Sequence, residues 1–168
     1  MIARMKTVFE GDHLYVRERD GWQYVERKKA TEAVAVLAET EDGEVVLTEQ
    51  KRKPLNARVI DFPAGLVGDE DANTTAEETA RKELEEETGY TCDSVELVAR
   101  GPSSPGITSE IVSLYRARGV RRIGKGGGVE GEEITVHVVP RGRLWRFFQD
   151  KQSEGVLIDL KVGMFFAE

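Results

Sequence analysis

The chain has one cysteine, Cys92, among 168 residues, so no internal disulfide framework supports it and a reducing compartment suits it. Cys92 itself reads as a small filler at a strand edge. No apolar run approaches the roughly 18 residues that span a bilayer. Met1 to Glu10 mixes charges with short apolar pairs and lacks a signal-peptide core. A cytoplasmic protein without a membrane partner is therefore expected. Basic residues are the minority: 24 Lys and Arg against 31 Asp and Glu leave a net charge of −7, which argues against a nucleic-acid binder acting through its overall field. The two histidines, His13 and His137, fall within alternating strand patterns and read as structural. Internal repeats and interdomain linkers are missing too. What remains is enough for one compact domain, with 39% hydrophobic and 33% charged residues as in soluble globular proteins.

The densest chemistry lies at the end of one helical segment. Residues 80–90 read Ala-Arg-Lys-Glu-Leu-Glu-Glu-Glu-Thr-Gly-Tyr, with Gly89 expected to end the helix in a left-handed conformation. A helix C-terminus carries partial negative charge, so each acid there is unfavourable by roughly 0.3–1 kcal/mol. Glu83 and Glu87 are also a like-charge pair four apart, costing about 0.2–0.5 kcal/mol more. Upstream the rules are obeyed. Thr74-x-x-Glu77 or Thr75-x-x-Glu78 makes a capping box, Glu77–Arg81 and Glu78–Lys82 are spaced as ion pairs, and Ala76, Ala80 and Leu84 give an apolar stripe. Charge runs on helices are usually solvated faces, but a run confined to the end that disfavours it calls for a cation. Hard oxygen ligands on the face of Glu83, Glu86 and Glu87 suit Mg²⁺, with Mn²⁺ possible.

Strands dominate the rest. His13–Val16 and Trp22–Glu26 flank an Asp20-Gly21 turn. Ala33 to Ala38 is a near-continuous apolar run, as in a strand buried on both faces. Asp42-Gly43 turns into Val45–Gln50, and Arg58 to Phe62 runs into Pro63. Val95–Ala99, Ile111–Arg116 and Ile134–Val139 are further strands. A helix over about 75–88, another carrying Leu144, Phe147 and Phe148, and a short C-terminal helix over Leu157–Phe166 complete an α/β sandwich. Gly124 to Gly131 has the composition of a flexible linker.

Pro63-Ala64-Gly65 followed by Lys82-Glu83-Leu84-Glu85-Glu86-Glu87-Thr88-Gly89-Tyr90 resembles the signature box of the Nudix hydrolase family. Two departures stand out. Lys82 occupies the place of an arginine whose planar fork orients a carboxylate. Thr74 stands where the family has a Glu, and the stretch from Gly65 to Lys82 is three residues longer. Gly68-Asp69-Glu70-Asp71 reads as the displaced glycine–acid step, with Glu70 as the shifted acid. The resemblance implies the Nudix fold, a mixed β-sheet core sandwiched between helices, over residues 30–168, with an N-terminal antiparallel strand extension over residues 1–29.

Glu49-Gln50-Lys51-Arg52, Asp61 to Gly65, Ser104 to Glu110 and Glu130 to Ile134 are similar to the ADP-ribose pyrophosphatase branch. That resemblance implies metal-dependent hydrolysis of a nucleoside diphosphate sugar, ADP-ribose to AMP and ribose 5-phosphate, by a homodimer formed through the N-terminal strands. It implies metal ligands Glu83 and Glu87, the Ala64 carbonyl and Glu132, with Glu86 assisting. The general base is implied on the glycine-rich loop, Glu130 first and Glu133 second, the loop then acting as a lid. Arg52, Arg27, Ser104, Gly106 and Glu110 are implied at the substrate, with surface ion pairs the ordinary alternative for the charged ones. GDP-mannose, another nucleotide sugar or a dinucleotide is the alternative substrate. A nucleotide-binding module without activity is the rival class, and retention of the box glutamates speaks against it. Capped RNA or an oxidised nucleoside triphosphate is disfavoured by the Ser-Pro-Gly loop and the acidic field.

Overall fold

The structure, a computed structural model, describes residues 5–30, 32–69, 71–129 and 131–166. Its strands fall into two sheets. β1 (Met5–Glu10), β2 (Leu14–Arg19) and β3 (Trp22–Arg27) form an antiparallel sheet. Asp20 and Gly21, between β2 and β3, have φ of 51° and 84°, the positive values a two-residue hairpin turn requires. β1 is an addition to the expected pair. All six of its residues are exposed, so no burial pattern marks it in the sequence.

The axis of the larger sheet is β4 (Glu32–Thr40), with β5 (Glu44–Arg52) antiparallel on one side and β10 (Ile111–Arg122) parallel on the other. β6 (Ala57–Asp61) extends the sheet from β5, and β12 (Leu157–Ile158) runs parallel to β6. β8 (Tyr90–Thr91) and β9 (Ser94–Pro102) pair with β10, while β11 (Ile134–Pro140) pairs with β5. β7 (Ala64–Val67), read from sequence only as a turn, pairs antiparallel with the first half of β4. The sheet is therefore mixed, as expected.

Helices cover both faces. α1 (Ala76–Thr88) sets Ala80 and Leu84 against Val34, Val36, Ala38 and Val46. α2 (Leu144–Ser153) and α3 (Leu160–Phe166) set Leu144, Phe148 and Val162 against Ala35, Leu37, Leu47 and Phe62. Successive residues of β4 thus feed opposite cores, which is why its sequence is continuously apolar rather than alternating. Each large side chain buried this way stabilises by about 1.5–3 kcal/mol. Cys92 is buried in the α1-side core, consistent with a filler role.

Two expectations are corrected. Leu157–Phe166 is not one helix: Leu157 and Ile158 find the open edge of β6, and Asp159 then breaks the chain direction. Its N–H donates to the Ile60 carbonyl at 2.9 Å while its carboxylate accepts the Lys161 N–H at 2.9 Å. Arg81 does not serve Glu77. Its guanidinium donates to the carbonyls of Cys92 and Asp93 at 3.0 and 2.9 Å, tying α1 to the turn before β9.

Candidate active site

α1 starts at a full capping box. The Thr75 hydroxyl accepts the Glu78 N–H at 3.2 Å, and the Glu78 carboxylate accepts the Thr75 N–H at 2.9 Å. These reciprocal hydrogen bonds hold the Glu78 carboxyl below its usual range. With Ala80 and Leu84 facing the sheet, Glu83 and Glu87 are carried one turn apart onto β7. Glu85 points away, exposed, and accepts from the Thr91 hydroxyl.

Glu87 is only 4% exposed, and its Oε2 accepts the Ala64 N–H at 3.0 Å. Burial pushes its carboxyl up to about 8; the Ala64 hydrogen bond and the Arg52 charge act against that, and the charges of Glu83 and Glu132 add to it. The Glu83 carboxylate lies against the Cα of Gly65. A Cβ at residue 65 would come within 1.9 Å of Glu83 Oε1, so glycine is required there by close approach. Glu86 is half-buried, 3.8 Å from Lys82, a contact of point charges rather than of a planar fork.

These groups surround a cavity of about 290 Å³. Gln50 and Arg52 of β5 form one wall, Ala64 to Leu66 of β7 another. Lys82, Glu83, Glu86 and Glu87 form a third, and Val129 and Glu132 of the glycine-rich loop reach in opposite. Gln50 was not among the sequence candidates. Its signal was strand alternation, because two residues before Arg52 is the same face. Arg52 Nη2 stands 4.0 Å from Asp61 Oδ2, and Asp61 is in turn held by Lys161 Nζ at 3.0 Å. Burial pushes the Asp61 carboxyl up against the opposing charge of Lys161.

Among the described residues no three His, Cys, Asp or Glu side chains stand close enough together to hold a cation as they are placed. The donor set nevertheless fits a hard divalent cation. Glu83, Glu87 and Glu132 are carboxylates facing one cavity, near enough for two to hinder ionisation of the third.

The structure brings Arg52, Ala64, Glu83, Glu86, Glu87 and Glu132 together. Glu133 is exposed and does not line the cavity; Glu130 and Glu70 lie outside the described residues. Arg27, Ser104, Gly106 and Glu110 are elsewhere, at the seam between the two sheets. Arg27 Nε donates to Glu110 Oε1 at 2.6 Å, and Glu110 Oε2 accepts from Ser103. The Ser103–Glu110 loop is stitched to β3 by hydrogen bonds from Val25 N–H to the Ile107 carbonyl (2.8 Å), Ser109 N–H to the Val25 carbonyl (3.1 Å) and the Trp22 indole to the Gly106 carbonyl (3.3 Å). A second cavity of about 150 Å³, lined by His13, Arg27 and Lys29, shares Leu66 and Asp69 with the first. Arg27 thus borders an annex of the main cavity.

An ADP-ribose pyrophosphatase of Bacillus subtilis is 41% identical over 85 residues, 51% of this chain and 44% of that protein. A methanol dehydrogenase activator of Bacillus methanolicus is 41% identical over 104 residues, 61% of this chain and 54% of its own length. The chain thus spans about half the length of these two relatives. A GDP-mannose pyrophosphatase of Cronobacter sakazakii is 34% identical over 137 residues, 77% of this chain and 68% of that protein. The crystal structure of an ADP compounds hydrolase superposes with a TM-score of 0.67 over 85% of this chain and 80% of its own, at 19% identity, a likeness of fold. The NUDIX domain model matches residues 29–158, from just after β3 to the end of β12. A match of that extent, with its box glutamates gathered at one cavity, makes this chain a member of the NUDIX family.

Proposed function

We propose that the chain hydrolyses the pyrophosphate linkage of a nucleoside diphosphate sugar in the presence of Mg²⁺, with ADP-ribose the first candidate. The observation that carries this reading is the crowding of Glu83, Glu87 and Glu132 about one cavity, with Glu87 buried and pushed up to about 8. A buried acid held beside two further carboxylates at such a cost to its own ionisation is explained by a cation the three share. Glu83 and Glu87 would hold it, with Glu86, Glu132 and the Ala64 carbonyl as further donors. When bound, the cation supplies positive charge to the phosphate oxygens and acidifies water.

The remaining chemistry belongs to the chain. Arg52, steadied from behind by Asp61, faces the cavity and is suited to a phosphate oxygen. Gln50 beside it offers an amide to the same group. The base is assigned to the glycine-rich loop, Glu130 before Glu133. Arg27, with Lys29 in the adjoining cavity, suits the far end of an extended substrate, and the pairing of Glu110 with Arg27 makes it a support for that arginine. Residues 1–29 are proposed as a dimerisation element and residues 30–168 as the hydrolase domain.

ADP-ribose with Mg²⁺ is expected to yield AMP and ribose 5-phosphate, resolved by chromatography. Cleavage of GDP-mannose but not ADP-ribose would transfer the substrate assignment to the activity named for the Cronobacter relative and leave the chemistry standing. No cleavage of any nucleotide sugar or dinucleotide across several divalent metals would reject the enzyme in favour of a binding module.

A further inference from the structure

The composition of residues 124–131 suggests a slack linker, and the hydrogen bonds contradict this for the first half. A helix leaves its last carbonyls without intrahelical donors. In α1 the Glu85 carbonyl accepts the Gly89 N–H at 2.8 Å, the Glu86 carbonyl accepts the Gly128 N–H at 3.0 Å and the Glu87 carbonyl accepts the Gly127 N–H at 2.8 Å. The Ile123 and Gly124 N–H groups both donate to the Gly89 carbonyl, at 2.8 and 2.9 Å. The glycine-rich segment therefore caps the helix end that carries Glu83, Glu86 and Glu87. It lies so close that a Cβ on Gly126 would fall 2.2 Å from the carbonyl carbon of Thr88. Gly126 and Gly128 also have φ of 67° and 83°, where a side chain is strained.

From this anchor the chain turns directly into Glu132. The Val129 N–H donates to Glu132 Oε2 at 3.1 Å, the Glu132 N–H donates to the Val129 carbonyl at 3.0 Å, and the carboxylate folds over Gly128. A Cβ on Gly128 would stand 2.4 Å from Glu132 Oε2. Two consecutive amides thus fix the base of the loop to the backbone of the helix glutamates, and the next amide fixes the loop's own carboxylate across the cavity.

We infer that residues 123–128 are a fixed strap that sets Glu132 opposite Glu83 and Glu87, with Gly126 and Gly128 as positioning residues for the proposed cation site. The inference rests on the reading of that cavity as a Mg²⁺ site, but its first test does not. In the metal-free protein, amide hydrogen exchange at Gly127 and Gly128 is expected to be at least about tenfold slower than at Gly131, whose N–H has no such anchor among the described residues. Equal exchange at all three would overturn the strap. The second test is Mg²⁺ titration by calorimetry. Gly128→Ala is expected to weaken binding by about tenfold or more, as removal of groups that orient metal ligands does. Glu132→Gln is expected to weaken it similarly, and the double variant no further, because the glycine acts through Glu132. Additive losses, or full affinity in Gly128→Ala, would overturn the positioning role. Absence of Mg²⁺ binding in the unsubstituted protein would reject that role together with the metal reading, and the exchange result would still decide the strap.

Discussion

Glu49 and Glu87 are equally hidden from solvent, 5% and 4% exposed, although Glu87 lies deeper within the protein, and their pKa values shift in opposite directions. Burial raises the pKa of both. At Glu49 it is overcome by hydrogen bonds from Arg58 and His137 and by the charge of Lys151, which bring the carboxyl to about 2. At Glu87 one backbone N–H and a distant Arg52 face the charges of Glu83 and Glu132, and the carboxyl stays near 8. One site is closed: its acid is matched by cations of the chain itself. At the other, two like charges, Glu83 and Glu132, act on Glu87 against the one opposing charge of Arg52. Low exposure alone therefore marks nothing; depth of burial and the sign of the neighbouring charges together separate the two carboxyls.

The sharpest way to break this contrast is at the acids themselves. Glu83→Gln removes a proposed donor while keeping its size against Gly65. Turnover is expected to fall by about a hundredfold or more, since such a cation contributes several kcal/mol at the transition state. Steady-state rates at saturating Mg²⁺ check this, and a loss below threefold would remove Glu83 from the site.

The pH dependence of stability separates the two acids next. Glu87 has a folded pKa raised from 4.5 to about 8, so the stability it contributes is full below 4.5 and is lost as pH rises through 8. Glu49 has a folded pKa lowered from 4.5 to about 2, so its contribution is full above 4.5 and is lost as pH falls through 2. In metal-free protein, Glu87→Gln is expected to remove a decline of several kcal/mol between pH 4.5 and about 8, because each tenfold change in proton affinity is worth about 1.4 kcal/mol. Denaturant melts from pH 4 to 9 measure it. Added Mg²⁺ is expected to suppress that decline and to release protons on binding below pH 8.

Glu49→Gln tests the closed site. It leaves Arg58, His137 and Lys151 facing one another and is expected to cost about 2–3 kcal/mol of stability, with the rate per folded molecule unchanged. A lost rate at full stability would show that the two clusters are coupled through β5, where Gln50 and Arg52 turn toward the cavity.

How much of this the sequence discloses depends on how far each partner lies along the chain. The body of α1 is legible because its cap, stripe and terminating Gly89 are local. β4 is legible because burial on both faces leaves a continuous apolar run. The box glutamates are legible because their misplacement at a helix end is itself local. β7 and β12 are not, since each exists only by pairing with a distant strand. The Glu49 cluster draws on His137, 88 residues away, and Asp61 on Lys161, 100 residues away. The strap is hidden for another reason. Its contacts are backbone to backbone, and glycine, chosen for closeness, has the same composition as glycine chosen for slack.

Glu85 allows the smallest test and the most discriminating. It shares the helix end, the charge and the sequence context of Glu83, Glu86 and Glu87, yet it faces solvent and its carboxylate accepts from the Thr91 hydroxyl. Glu85→Gln keeps an acceptor for the Thr91 hydroxyl and removes one negative charge from the helix C-terminus. It is expected to stabilise the chain by about 0.3–1 kcal/mol, with no loss of turnover. Paired thermal melts and rates check both halves. Because three of its neighbours at that end are proposed to trade stability for a cation, a gain in stability at Glu85 without a loss in rate would confine that trade to the face against β7. A lost rate would mean that the whole acidic end, and not one face of it, serves the cavity.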